Sequence, residues 1–349
     1  MDPMLKDVLA VPKMLRDRCP ALSEEVRQVA KQIVSDYGNV PSNIIFTGMG
    51  ASYFACYLPH YYLAEKGIKN DLFETSELLY YKIETMPDNC LLVCVTQSGE
   101  TIEFKKLFPL LENKNVKILV ITNNAKSTLQ KYADYIINTN VEPDYSVAVK
   151  TYISALFSLY TLTQTLIGEP ALTEKGLVQM ADYAEDMINK RDNFAKEAAR
   201  YINDKKFHFV TTARGSAIAS ALEASLLLRE GAKEPCIDVS GGQFRHGSVE
   251  MVSDKTFVIN FAPDDHTSDL ALSLTKELLD YKAFVMLITN KKPQFTHKRL
   301  WVVETTPPDI YAAAITDIIP CFLFTWCVAN KKGVVTGEFV NTVPVITVE

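Results

Sequence analysis

The hexapeptide ILVITN at 118–123 returns as VMLITN at 285–290, and that recurrence constrains the fold more than any other feature of the chain. Two further strand ends repeat at almost the same distance. The offsets are 164 from Thr47 to Thr211, 166 from Val95 to Phe261 and 167 from Asn123 to Asn290. A nearly constant offset over three strand ends is the mark of two tandem copies of one unit. In each copy a buried-strand run empties into a turn rich in glycine or hydroxyls and then into a helix, the grammar of α/β proteins. The expected fold class is therefore α/β, with two doubly wound parallel sheets flanked by helices. The 349 residues accommodate two such domains. The expected boundaries are an N-terminal helical segment over 1–40, a first domain over 41–170, a second over 171–330 and a C-terminal tail over 331–349.

Strands are expected at 43–46, 71–74, 91–95, 116–122 and 133–139, followed by a long helix over 147–167. The N-terminal segment reads as helical, with a capped start at Ser23 and a stop at Gly38. In the second copy strands are expected at 208–212, 256–261 and 285–290. A helix over 216–229 should end in a left-handed residue at Gly231.

Composition narrows the functional classes. A formal charge of −6 gives no basic footprint for nucleic acid or an anionic membrane. Seven cysteines without a C-x-x-C pair argue for reduced thiols in a cytoplasm, against a disulfide framework or a zinc site. The N-terminus lacks a long apolar core, so no signal peptide is expected. The apolar stretches at 153–167 and 318–329 are interrupted or short, and read as buried helices.

The first chemical feature is LLVCVTQSGETIEF at 91–104. Thr96, Gln97, Ser98 and Thr101 surround Gly99 where a strand gives way to a helix. A helix N-terminus offers unpaired N–H donors and partial positive charge, so these hydroxyls can cradle a phosphate without a lysine. Ordinary N-capping would use the same residues with no ligand. A second glycine turn, Thr47-Gly48-Met49-Gly50-Ala51-Ser52, follows the first strand. It lacks the third glycine of a dinucleotide fingerprint, and nucleotide binding is a weak reading. In the second copy Asp264 and Asp265 stand at the turn corresponding to the cradle and would repel a phosphate.

The second copy carries other chemistry. Glu223 and Glu230 lie seven residues apart on one helical face. Glu230 falls in the last turn, where the helix dipole disfavours negative charge and raises a carboxyl pKa. That suits a proton shuttle, although a glutamate there can also simply face solvent. His246 sits among glycines in GGQFRHG, a loop setting that exposes its ring. No two histidines have metal-ligand spacing, so no metal is proposed, and no cofactor is called for.

TGMGAS, TQSGET, ALEASLLLRE, FRHG and the terminal TVE together resemble the sugar isomerase (SIS) family in its double-domain form. Within it the chain is most similar to the isomerase half of glucosamine-6-phosphate synthase, the fructosamine-6-phosphate deglycases and the SIS-type deaminases. The resemblance spans essentially the whole chain, without the synthase's glutaminase domain. It implies that Ser52, Thr96, Gln97, Ser98 and Thr101 hold a sugar phosphate, with Gly50 and Glu223 near the substrate. It further implies that Glu230 moves a proton at carbon 1 or 2 while His246 assists ring opening from the other subunit of a homodimer. Lys150 falls where the family has a lysine after its substrate loop, with its role open.

Two departures bear on the reaction. Leu227 and Pro344 stand where the synthase has lysines, and proline has no amine to attack a carbonyl. Gln243 and Ser248 also replace the usual glutamate and proline around FRHG. A substrate that already carries nitrogen needs no such lysine, which favours a deglycase. The alternatives are an amino-sugar-phosphate deaminase, an aldose–ketose isomerase and, in another class, a silent phosphosugar sensor.

Overall fold

The computed structural model describes residues 1–124, 126–202 and 206–341. Pro344 and the rest of 342–349 lie outside that range. Helices α1 (Pro3–Asp17) and α2 (Cys19–Tyr37) lead into β1 (Ile44–Gly48), α3 (Ala51–Ala55), α4 (Tyr57–Glu65), β2 (Asn70–Glu74), α5 (Thr75–Glu77), β3 (Cys90–Val95), α6 (Ile102–Leu111), β4 (Val116–Thr122) and β5 (Tyr135–Asn138). Then come α7 (Lys150–Leu166), α8 (Glu174–Asn189) and α9 (Arg191–Ile202). The second series is β6 (His208–Thr212), α10 (Ile218–Gly231), β7 (Cys236–Asp238), α11 (Gly241–Phe244), β8 (Thr256–Phe261), α12 (Ser268–Asp280), β9 (Phe284–Thr289), β10 (Leu300–Glu304), α13 (Ala313–Asp317) and α14 (Ile319–Lys332).

Each series makes one parallel five-stranded sheet, in the orders β2-β1-β3-β4-β5 and β10-β9-β8-β6-β7. Read in the same sense, these are the same 2-1-3-4-5 winding, so the tandem duplication extends to topology. The strand order reverses between β1 and β3 in one sheet and between β6 and β8 in the other. Such switch points open a crevice at the carboxyl ends of the strands. The chain divides into two compact units, one of residues 13–143, 150–177 and 340–341 and one of residues 1–12, 144–149 and 178–339.

The apolar runs become central strands because both sheet faces are covered. β3 is buried along its whole length. Its Leu92 and Cys94 join Ile45, Val120, Phe104 and Phe108 in one cluster under α6. The counterpart cluster packs Val258, Val285 and Leu287 against Leu274 and Leu278 of α12. Each such side chain contributes about 2 kcal/mol on burial. Every residue of α7 except Thr165 is buried, so this helix carries no polar face. The segment 313–332 is apolar and long enough to cross a membrane by composition, but 83% of its apolar window is buried, as for a core helix.

Two local expectations are corrected. Helix α2 starts at Cys19, with Pro20 in its first turn, and Ser23 is buried inside it rather than capping it. The stop at Gly38 is found, with φ 74°. Gly231 is not left-handed. It ends α10 where a Cβ would stand 2.7 Å from Thr325 Cγ2 of α14, so glycine is required there for close helix packing. The left-handed position falls instead on Lys233, with φ 55°. All seven cysteines are free and buried.

Candidate functional site

In the first-sheet unit the register of β1 on β3 pairs Gly48 with Val95. The turns that follow, Met49–Ser52 and Thr96–Thr101, therefore leave adjacent strands at the switch point. Gly50 adopts φ 52° and leads into α3, whose second residue is Ser52. The Thr96 hydroxyl accepts the Gly99 amide at 3.2 Å and pairs with the Thr101 hydroxyl at 3.1 Å. The Ser98 hydroxyl accepts the Glu100 amide at 3.1 Å. Gln97 is exposed, and its carbonyl accepts from the Asn123 amide at 3.1 Å. Thr101 occupies the N-cap position of α6, yet its side chain makes no cap bond. The hydroxyls thus bond one another and the turn rather than capping α6.

The rigidity of this turn comes from residues the sequence did not single out. Gly99 has φ 64°, and a Cβ built there would overlap the Ser127 side chain. The Asn124 amide nitrogen donates to the Ser98 carbonyl at 3.0 Å, and Glu100 accepts from the Thr128 amide at 2.8 Å. Glu100 also pairs with Lys105 at 2.7 Å. The Lys105 and Thr128 bonds hold its carboxyl below the usual range, so the acid in the cradle is already spoken for. Only the fold brings Asn124, Ser127 and Thr128 onto 96–101, and no local sequence signal marks Ser127 for this part. Lys150, 2% exposed, donates to the Pro143 carbonyl at 3.2 Å and pairs with Glu142 at 3.4 Å, a buried tie at the start of α7.

In the second-sheet unit α10 carries the acids. Glu223 is 1% exposed, and one carboxyl oxygen has no hydrogen-bond partner among the described residues. Burial pushes its pKa well above the carboxylate range, and the charges of Glu230 and Asp144 add to the rise. Glu230 is half-buried, and its pKa is also raised. Burial is the main cause, while the Lys233 and Arg229 charges oppose it. The direction expected from the dipole is found, with desolvation as its chief origin. His246 is exposed on the loop after α11, its amide bonded to the Gln243 carbonyl at 2.9 Å. The structure thus brings Glu223 and Glu230 together on one helix and leaves His246 on a separate surface loop.

The turn matching the cradle is different here. Asp265 accepts the Thr267 amide at 2.7 Å and its hydroxyl at 2.8 Å, and Lys291 pairs with Asp264 at 3.4 Å and Asp269 at 3.1 Å. Among the described residues no group of three or more His, Cys, Asp or Glu could hold a metal ion.

The SIS domain model matches residues 39–165 and 201–326. The chain is 28% identical, over 99% of its length, to glutamine–fructose-6-phosphate aminotransferase (isomerizing) of Pyrococcus horikoshii, and covers 58% of that relative. It thus spans a little over half the length of this curated relative. Among solved structures, the C-terminal domain of glucosamine-fructose-6-phosphate aminotransferase from Francisella tularensis superposes with a TM-score of 0.80 at 19% identity, covering 96% of this chain and 97% of that one. Tagatose-6-phosphate ketose/aldose isomerase from Escherichia coli also gives 0.80 at 19% identity, covering 97% and 96%. With its paired sheets, equal strand orders and two matched segments, the chain belongs to the SIS domain family and carries two such domains.

Proposed function

We propose that this chain is an enzyme acting on 6-phosphorylated amino sugars or sugar–amine adducts, and that its reaction is the deglycation of a fructosamine- or glucosamine-type 6-phosphate. The observation that carries this reading is Glu230, a half-buried helix-end carboxyl whose pKa burial raises. Such a group can both accept and return a proton. Ser52, Thr96, Gln97, Ser98 and Thr101 hold the phosphate, drawing on open helix N–H groups. Relatives named for fructose 6-phosphate and tagatose 6-phosphate support the substrate class.

The chemistry follows from one mobile proton. In the open-chain ketoamine Glu230 removes a proton from carbon 1 while the carbonyl oxygen is protonated, giving an enaminol. Return of the proton to carbon 2 gives an imine at carbon 1. Water adds to that imine, the carbon–nitrogen bond breaks, and the amine leaves a hexose 6-phosphate behind. No lysine imine is needed, in keeping with Leu227 on α10. We further propose a homodimer in a reducing cytoplasm, in which exposed His246 assists ring opening at the partner's site.

The same shuttle acting on a substrate without nitrogen would interconvert an aldose and a ketose. The deciding assay presents fructoselysine, glucoselysine and glucosamine 6-phosphates and fructose 6-phosphate to purified protein, with Glu230→Gln alongside. Release of hexose 6-phosphate and free amino acid, abolished in the variant, upholds the deglycase. Ammonia release or ketose–aldose interconversion replaces it with a deaminase or an isomerase, and tight phosphosugar binding without turnover replaces it with a sensor.

A further inference from the structure

Among the described residues Lys233 is one of four non-glycine residues with positive φ, and it lies three residues beyond Glu230. A left-handed lysine is strained relative to glycine at the same place, because its Cβ crowds the following carbonyl. The glycine two residues earlier, Gly231, is taken up by its packing on Thr325. The strained conformation is held in several ways. The Glu234 amide returns to the Leu228 carbonyl at 2.9 Å, Lys332 donates to the Lys233 carbonyl, and Lys332 pairs with Glu234 at 2.9 Å. So held, the Lys233 ammonium folds back and donates to the main-chain carbonyl of Glu230. An outlier maintained by its surroundings points to a role.

Charged and titratable groups surround α10 along its length. On α10 itself stand Glu223 and Arg229. β7 brings Cys236 and Asp238, the segment before α7 brings Asp144, α13 brings Asp317, and α14 brings Cys321 and Lys332. Glu230 and Asp144 oppose ionisation of Glu223, while the charges acting on Glu230 itself are the cations Lys233 and Arg229. Of the cations, Arg229 is shared with Asp238 at 3.8 Å and Lys332 is bound to Glu234. Lys233 is the cation anchored on Glu230 itself.

We infer that Lys233 is a positioning residue for Glu230, its left-handed backbone aiming the ammonium back over the end of α10 so that the carboxylate stays charged and able to accept a proton. The inference rests on the reading of Glu230 as the proton shuttle. Burial alone would leave Glu230 protonated over a wider range, and the Lys233 charge counters it.

The test compares Lys233→Met, Lys233→Gly and Lys233→Arg. Carboxyl 13C NMR of the whole protein, with Glu230→Gln to assign the signal, should show Glu230 titrating about one pH unit higher in the Met and Gly variants and unmoved in Arg. The acid limb of kcat/KM should move with it, so that activity falls up to about tenfold on the acid side of that limb and recovers at higher pH. Lys233→Gly should also raise Tm, because the strain is relieved while the charge is lost. Met and Gly variants whose Tm changes while the Glu230 titration stays fixed would overturn the role and leave Lys233 a helix cap. Turnover retained by Glu230→Gln would overturn the proposed function and the role together.

Discussion

The two sheets share their parallel winding, yet the same turn carries opposite chemistry in each. After β3 the chain offers Thr96, Ser98 and Thr101 around a left-handed glycine. After β8 it offers Asp264 and Asp265, closed on Thr267 and neutralised by Lys291. Conversely, buried acids with strongly raised pKa values, Glu223 and Asp317, belong to the second-sheet unit. Duplication thus preserved the packing while the loops diverged, because strand ends tolerate change that the cores do not. On the proposed function, one copy binds and the other moves protons.

The sharpest way to break that division is at Glu230. Glu230→Gln keeps size and polarity but cannot shuttle a proton, so turnover should fall about 10³-fold while phosphosugar affinity, measured by calorimetry, stays within threefold. Loss of affinity with unchanged turnover would assign binding to the second copy as well.

The next effect concerns stability. Asp317 is fully buried, and burial pushes its pKa up to about 7, against 3.8 ordinarily. The folded state therefore keeps a proton between about pH 4 and 7 that the unfolded chain has released. That contribution is complete below about pH 4 and is lost as pH rises through about 7. Asp317→Asn should remove the slope, with the variant gaining up to about 4 kcal/mol on the native protein between pH 4 and 8 in urea titrations. A parallel pH profile for both proteins would mean that the acid is solvated.

In the first-sheet unit the corresponding weak point is conformational. Gly99→Ala must hold φ 64° with a methyl group against Ser127, and should cost about 3 kcal/mol and most phosphate binding. Ser127→Gly in the same chain should recover part of the stability, because it vacates the space the methyl needs.

How far these roles could be read beforehand depended on whether their cause was local. The central strands were legible because apolar runs end in hydroxyl or glycine turns, and their counterparts repeat at a fixed offset. The edge strands of the second sheet were not: β7 is three residues with Ile237 exposed, and β10 follows a polar stretch. The residue types of the cradle were legible, but its rigidity was not, since Ser127, Asn124 and Thr128 reach it only through the β3–β4 pairing. Gly231 looked like a helix stop because its neighbours permit one. The reason it is glycine is Thr325, far along the chain, and that displaced the left-handed position to Lys233.

The smallest of these effects is the most direct test of the comparison. Ser98→Asp places the second sheet's acid into the first sheet's turn. The Ser98 hydroxyl accepts the Glu100 amide, two residues on, and an aspartate carboxylate makes the same turn, as Asp265 does with the Thr267 amide. The Ser98 carbonyl keeps its bond from Asn124, since main-chain atoms are unchanged. The fold and Tm should therefore stay within error, and only charge is altered. Unlike Asp264, which has Lys291 beside it, the new carboxylate would find Lys105 already held by Glu100, and would face an incoming phosphate uncompensated. KM for a sugar 6-phosphate should rise about 30- to 100-fold with kcat nearly unchanged, and the rise should shrink with added salt. Asp264→Ser, the reciprocal change, should leave KM where it was. If both substitutions move KM alike, the two turns share the phosphate and the division of labour between the sheets fails; if only Ser98→Asp does, the cradle alone holds it.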